Sequence, residues 1–246
     1  MKNKIIVTMG TCGISAGAKK IVNELSKRTD INLKATSCIG MCSFEPTVMM
    51  ESGDNVKFFS YITEKAQDID DIVKLYGTGV VSDNLKPRLL FDGKKKDIYE
   101  QLFKGQHRIV LRNSGWIDPL DINDYIETGG YKFLSDCFKD VHKPEEVLAI
   151  VKNSGLRGRG GAGFPTATKW DILRSQQSKE KYVICNGDEG DPGAFMDRAV
   201  LEGDPHSVLE GLQIAAYVTG AVRGFIYVRA EYPIAVTTIA KAIEDA

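Results

Sequence analysis

Residues 154–170 read SGLRGRGGAGFPTATKW, in which five glycines are interleaved with Arg157 and Arg159 and a Lys169-Trp170 pair closes the run. A segment of this kind is built to hold an anion. Glycine admits positive φ and lets backbone N–H groups approach a ligand that a Cβ would push away. Arg157, Arg159 and Lys169 then add the charge that neutral amides lack. Gly158, Gly160 and Gly163 satisfy the spacing GxGxxG, but a dinucleotide turn of that pattern needs a strand immediately before it. The preceding EEVLAIVKNS instead opens after Pro144 with two acids and carries Val147, Leu148 and Val151 at helical spacing. A loop that follows a helix points to a different phosphate-binding device. The alternative, a ligand-free hinge, requires neither the flanking cations nor Phe164-Pro165.

With 33 acids against 32 bases the net charge is −1, so no polyelectrolyte partner is implied and nucleic acid binding has no support. No run approaches the roughly 18 apolar residues of a membrane span, so no direct membrane insertion is expected. The opening MKNKIIVTMG is too short in its apolar part for a secretory signal. Cytoplasmic residence is the expectation, and five cysteines in that compartment suggest metal ligation or free thiols ahead of disulfides.

In the first eighty residues the pattern predicts a strand at 5–8, a helix over 15–28 with Ile21, Val22 and Leu25 on one face, and a strand at 32–36. Strands at 47–51 and 56–62 flank the turn SGDN, and a helix over 64–76 is expected to be capped by Thr63 and stopped by Gly77. Cys12 falls in one strand-to-helix loop, and Cys38 and Cys42 in another. Thiolates gathered from two loops at one end of a sheet suit an iron–sulfur cluster or zinc, with buried thiols of no ligand role as the alternative. Strand, GTC, helix, strand, CxxxC, hairpin, helix resembles the thioredoxin-like 2Fe-2S ferredoxins. That resemblance implies a cluster on Cys12, Cys38 and Cys42, and a fourth cysteine where this chain has Thr8.

Residues 81–130, with DGKKK and KGQHR, read as a polar connector containing an extended segment at 109–113. Further on, a helix follows Gly130, with Cys137 in its apolar pattern, and TATKWDILRS is a helix whose first amides face back to the glycine loop. An apolar strand at 182–185 runs into NGDEGDPGAF. Its Asp188, Glu189 and Asp191 would repel phosphate and suit ribose-type hydroxyls as acceptors, and calcium is the competing ligand. Asp204-Pro205 opens a helix ending at Gly220, residues 224–228 form a buried-type strand, and Pro233 starts a last helix. Strands alternating with helices indicate a parallel α/β layer. His107, His142 and His206 are expected at surface or capping positions.

GLRGRGGAGFPT with KW, followed by ICNGDEGDPGAFMDR and preceded by RNSGWIDP, resembles the flavin-binding subunit shared by respiratory complex I and NAD-linked or electron-bifurcating hydrogenases. The resemblance spans nearly the whole chain. It implies residues 1–80 as a thioredoxin-like ferredoxin domain, 81–130 as connector, and 131–246 as the first part of a Rossmann-like FMN/NADH domain. Carried onto these positions, Gly158, Arg159, Gly160, Gly161, Gly163 and Lys169 would hold the FMN phosphate and ring edge. Asn186, Asp188, Glu189 and Gly190 would line the flavin, Phe164 would stack near the nicotinamide, and Asp191 stands where the family has an acid. The implied activity is hydride transfer from NAD(H) or NADP(H) to FMN and single electrons onward to iron–sulfur subunits. The hydrogenase type is favoured over complex I, and a non-catalytic electron-transfer or assembly module is the remaining alternative. The family's 4Fe-4S segment lies outside these residues, and the chain reads as the N-terminal portion of a longer polypeptide.

Overall fold

The computed structural model describes residues 3–246, which divide into two units, 3–121 with Glu202–Asp204, and Ile122–Leu201 with Pro205–Ala246. The architecture is mixed α/β.

The first unit runs β1 (Lys4–Thr8), α1 (Thr11–Ser15), α2 (Ala18–Leu25), β2 (Leu33–Thr36), β3 (Val48–Ser52), β4 (Asn55–Phe59), α3 (Ala66–Thr78), β5 (Leu89–Lys94) and α4 (Ile98–Leu102). The sheet order is β2-β1-β3-β4-β5, with β1 and β2 parallel and the other neighbours antiparallel. Side chains alternate across a sheet, and here both faces are buried. Ile5, Val7, Val48, Met50 and Phe59 pack with Ile21 and Leu25 of α2 and Ile69, Ile72 and Leu75 of α3. Ile6, Met49, Val56 and Phe58 take the other face with Phe91, Ile98 and Phe103. That is why β1 reads as an unbroken apolar run. Each such fully buried side chain contributes about 1.5–3 kcal/mol of burial free energy.

Three expectations change. The helix expected over 15–28 is confined to Ala18–Leu25, and Gly17 at φ 108 separates it from the preceding α1, which takes in Cys12. The helix over 64–76 is shifted to 66–78 and ends on Gly79 at φ 72, not at Gly77. Thr63 does serve its start, but from outside, donating its N–H and hydroxyl to Asp68 at 2.9 and 2.6 Å. The connector is also redrawn. Residues 81–121 group with the first unit because β5 pairs with β4 as an edge strand, where Asp92 and Lys94 are tolerated and protect the edge. Residues 109–113 form turns and bends, not an extended segment.

The second unit contains α5 (Ile122–Glu127), α6 (Lys132–Phe138), α7 (Pro144–Asn153), α8 (Thr166–Ser175), β6 (Tyr182–Gly187), α9 (Met196–Gly203), α10 (Pro205–Thr219), β7 (Arg223–Val228) and α11 (Pro233–Asp245). Residues of α5 enter this unit, ahead of the expected boundary at 131, because the Tyr125 ring stacks on His206 and its hydroxyl donates to Glu210 at 2.5 Å. His206 is thus buried at 1% exposure, with Nδ1 2.9 Å from the Tyr131 hydroxyl, and is not a surface residue. Strands β6 and β7 are parallel, joined through α9 and α10. Val183, Ile226 and Val228 face inward, whereas Ile184, Phe225 and Tyr227 remain 67%, 52% and 55% exposed. The expected fully buried strand at 224–228 is therefore covered on one face only.

Candidate functional site

The glycine loop is a closed hairpin-like excursion between α7 and α8. Gly158 N–H donates to the Phe164 carbonyl at 2.9 Å and Thr166 N–H to Leu156 at 3.0 Å, with a bridge between Arg157 and Pro165. The Arg157 guanidinium donates to the Gly163 carbonyl at 2.9 Å, so this arginine braces the loop from within. Inside that closure the amides of residues 159–163 donate to no acceptor among the described residues. Nothing lies within 4 Å of a Cβ built on Gly160, Gly161 or Gly163. Gly161, at φ 100, holds a backbone conformation that side-chain-bearing residues avoid. The side chains of Arg159 and Lys169 have no hydrogen bond or ion pair among the described residues. Lys169 sits in the first turn of α8, whose unpaired N–H groups add positive potential. Two uncommitted cations and five open amides are a donor set that could hold an anion.

The acidic loop leaves the C-terminal end of β6, and the turn at 229–232 leaves the C-terminal end of β7, its parallel neighbour. This is the end of a parallel sheet where ligands bind. Glu189 is committed locally: its carboxylate accepts the N–H groups of Asp197 and Arg198 at 3.0 and 3.2 Å, capping α9. Arg229 donates to the Glu189 carbonyl at 3.0 Å, and the Tyr232 hydroxyl reaches the same carbonyl and the carboxylate at 3.3 Å. Gly190 lies under this strap, where a Cβ would stand 3.1 Å from the Arg229 guanidinium. Asn186 Oδ1 accepts the Asp188 N–H at 3.0 Å, an Asx turn that fixes the loop's exit. The Asp188 carboxylate stands 4.0 Å from Arg229, and Asp191 is exposed.

Sequence reasoning missed Arg229 and Tyr232. Their signal was position, since both lie between the end of β7 and the Pro233 that begins α11. No hydrogen bond or ion pair joins the glycine loop to the acidic loop among the described residues. Both α8 and β6 pack on α10, which supports the two loops in common. A groove beside the glycine loop, about 220 Å³, runs between α7 and α8 and is lined by Glu145, Leu148, Lys152, Ala167 and Asp171. It is smaller than an ordinary ligand pocket. Phe164, 44% exposed, is available for stacking.

Residues 151–246 match the model of the Nuo51 FMN-binding domain. The NADP-reducing hydrogenase subunit HndC of Solidesulfovibrio fructosivorans is 56% identical over 143 residues, 58% of this chain and 29% of that protein. A subunit of the NADH-quinone oxidoreductase of Rhizobium meliloti is 43% identical over 138 residues, 56% of this chain and 32% of its own. The NAD-reducing hydrogenase HoxS subunit alpha of Cupriavidus necator is 34% identical over 214 residues, 80% of this chain and 30% of its own. The matched part thus spans about a third or less of each of these relatives. A crystal structure of an air-oxidised NAD+-reducing NiFe hydrogenase aligns over 99% of this chain and 40% of that chain, at 25% identity and a TM-score of 0.45.

In the first unit the three predicted thiols come together. Cys38 Sγ lies 3.7 Å from Cys42 Sγ, and Cys12 is hydrogen-bonded to Cys42. Burial pushes the Cys38 and Cys42 thiols up from their ordinary range. Thr8, at the position of the fourth ligand, is fully buried. Its hydroxyl donates to Glu45 at 2.7 Å and lies 2.6 Å from the Thr47 hydroxyl. No group of three or more His, Cys, Asp or Glu side chains among the described residues is arranged to hold a metal ion. Three thiols and an engaged threonine do not fit a four-thiolate cluster. No helix among the described residues is long and apolar enough to cross a membrane.

Proposed function

We infer that the second unit is the FMN-holding part of an NAD(P)H oxidoreductase subunit that works within a multisubunit iron–sulfur complex. The observation that carries this reading is the run of open amides at 159–163 beside two uncommitted cations, inside the region matched by the FMN-binding family. This donor set fits a phosphate monoester: the amides of Gly160, Gly161 and Gly163, with Gly158 closing the loop, would take its oxygens, and Arg159 and Lys169 would balance its charge. When bound, FMN accepts hydride from a nicotinamide and passes electrons on singly, so no side-chain nucleophile is needed.

The chain's own contribution is orientation and electrostatics. Phe164 offers a flat apolar surface for an aromatic ring, and Asp188 and Asp191 offer acceptors for ribityl or ribose hydroxyls. Asn186, Glu189 and Gly190 act by shaping the loop: Glu189, spent on the amides of α9, fixes where Asp188 and Asp191 stand. The first unit is read as a thioredoxin-like docking head, and the second as the opening part of a Rossmann-like layer. A hydrogenase-type assembly is favoured over complex I because the match to the HoxS alpha subunit extends over 80% of this chain, against 56% for the quinone-reductase subunit. The complex's 4Fe-4S cluster would lie outside these residues.

Titrating the chain into FMN and into riboflavin while following flavin fluorescence tests the reading. Saturable quenching is expected for both. Riboflavin, which lacks the phosphate, should bind at least about tenfold more weakly, the loss expected for one charge-assisted contact. Addition of NADH under anaerobic conditions should bleach the bound FMN. Equal affinity for the two flavins would refute the phosphate cradle, and flavin that binds but resists NADH would favour the non-catalytic module.

A further inference from the structure

The cysteine cluster of the first unit lacks the donors for four-thiolate ligation, yet its geometry suits another chemistry. We propose that Cys38 and Cys42 are a reversible dithiol/disulfide pair whose substrates are low-molecular-weight disulfides such as oxidised glutathione. The two sulfurs already stand 3.7 Å apart, in van der Waals contact, and a bond requires closure to about 2.0 Å. Both belong to one short loop, folded back on itself by Gly40 at φ 95. Closing them therefore asks for side-chain rotation within one loop, whereas a bond to Cys12 would join that loop to a separate element, α1. Cys42 is exposed and Cys38 half-buried, which assigns their order of reaction. The Gly40 N–H donates to Cys38 Sγ at 3.2 Å and holds that sulfur in place beside Cys42.

The exchange balances without a metal. The Cys42 thiolate attacks one sulfur of the small disulfide, the S–S bond breaks, and one thiol leaves with a proton from solution. The Cys38 thiolate then attacks Cys42 Sγ in the mixed disulfide, forming the intramolecular bond and releasing the second thiol. Two electrons pass from the cysteine pair to the small disulfide, and the two cysteine protons end on the two released thiols. Cys12 stays reduced throughout.

The test equilibrates the full chain in glutathione buffers of graded potential, traps free thiols with a maleimide mass tag, and maps tryptic peptides. The tryptic peptide 35–57 carries both Cys38 and Cys42, and Cys12 lies in a different one. Oxidation is expected to remove two tags together, leaving peptide 35–57 lighter by two hydrogens and Cys12 tagged. Cys12→Ser should leave this behaviour intact, and Cys38→Ser should halt at a glutathione adduct on Cys42. The proposal is overturned if both thiols remain taggable in fully oxidising buffer, or if the Cys12 peptide becomes cross-linked to peptide 35–57. It is also overturned if chain isolated without oxygen carries iron and acid-labile sulfide on these cysteines.

Discussion

Replacing Asp68 with alanine is expected to destabilise the first unit by about 3 kcal/mol, the range for stripping one partner from a largely buried ion pair. Asp68 is 3% exposed and collects four donors: Arg88 at 2.7 Å, Asn84 at 2.9 Å, and the hydroxyl and N–H of Thr63 at 2.6 and 2.9 Å. It therefore ties the start of α3 to the segment leading into β5. Burial pushes its pKa up, but hydrogen bonds from Arg88, Thr63 and Asn84 outweigh that and hold it at about 2. A carboxyl whose folded pKa is depressed contributes stability that is fully present above its unfolded value, near 3.9. That stability is lost as pH falls toward 2. The wild-type chain should accordingly shed roughly 2 kcal/mol between about pH 5 and pH 2 through this one group, and Asp68→Ala should lack that part of the slope. Urea unfolding of both proteins across that range measures it. A change below about 1 kcal/mol at neutral pH would mean that Arg88 finds water as readily as it found Asp68.

For the second unit the largest expected effect is on flavin affinity. Lys169→Glu should weaken FMN binding by about 100-fold, because it removes a cation from the cradle and sets a carboxylate against a phosphate dianion. Riboflavin affinity should change little, since it has no phosphate for the new carboxylate to repel. Raising salt should narrow the gap between wild type and variant, as charges at an exposed site are screened. Fluorescence titrations with the two flavins at low and high salt separate these terms, with Lys19→Glu in the first unit as a charge control. An equal loss for FMN and riboflavin would show that the substitution deformed α8 instead of acting on the phosphate.

What could be read from residue order was mainly local. Pro205 and Gly220 bracket α10 as expected, and the apolar runs of β1, β3 and β6 lie within a residue or two of their observed limits. Long-range effects were hidden. Nothing around LLFDGK says that it completes a sheet, because an edge strand carries charge on purpose. His206, next to Pro205 at the start of a helix, looks like a capping residue until Tyr125 and Tyr131 close over it. At the candidate site the composition suggested an anion loop but could not tell which arginine braces the loop and which is free. That division depends on Arg157 reaching the Gly163 carbonyl six residues away. Glu189 looked like a ligand for the same reason that it makes a cap, namely two acceptor oxygens next to a helix start.

The parallel pair of β6 and β7 has a thermodynamic consequence of its own. Ile184, Phe225 and Tyr227 line up on the uncovered side of a two-stranded ribbon, and each keeps at least half of its area in water. Shielding that ribbon would gain burial free energy at no conformational cost to the strands, which are already ordered. In dilute solution the same arithmetic favours burial of these three side chains against any other apolar surface that meets them.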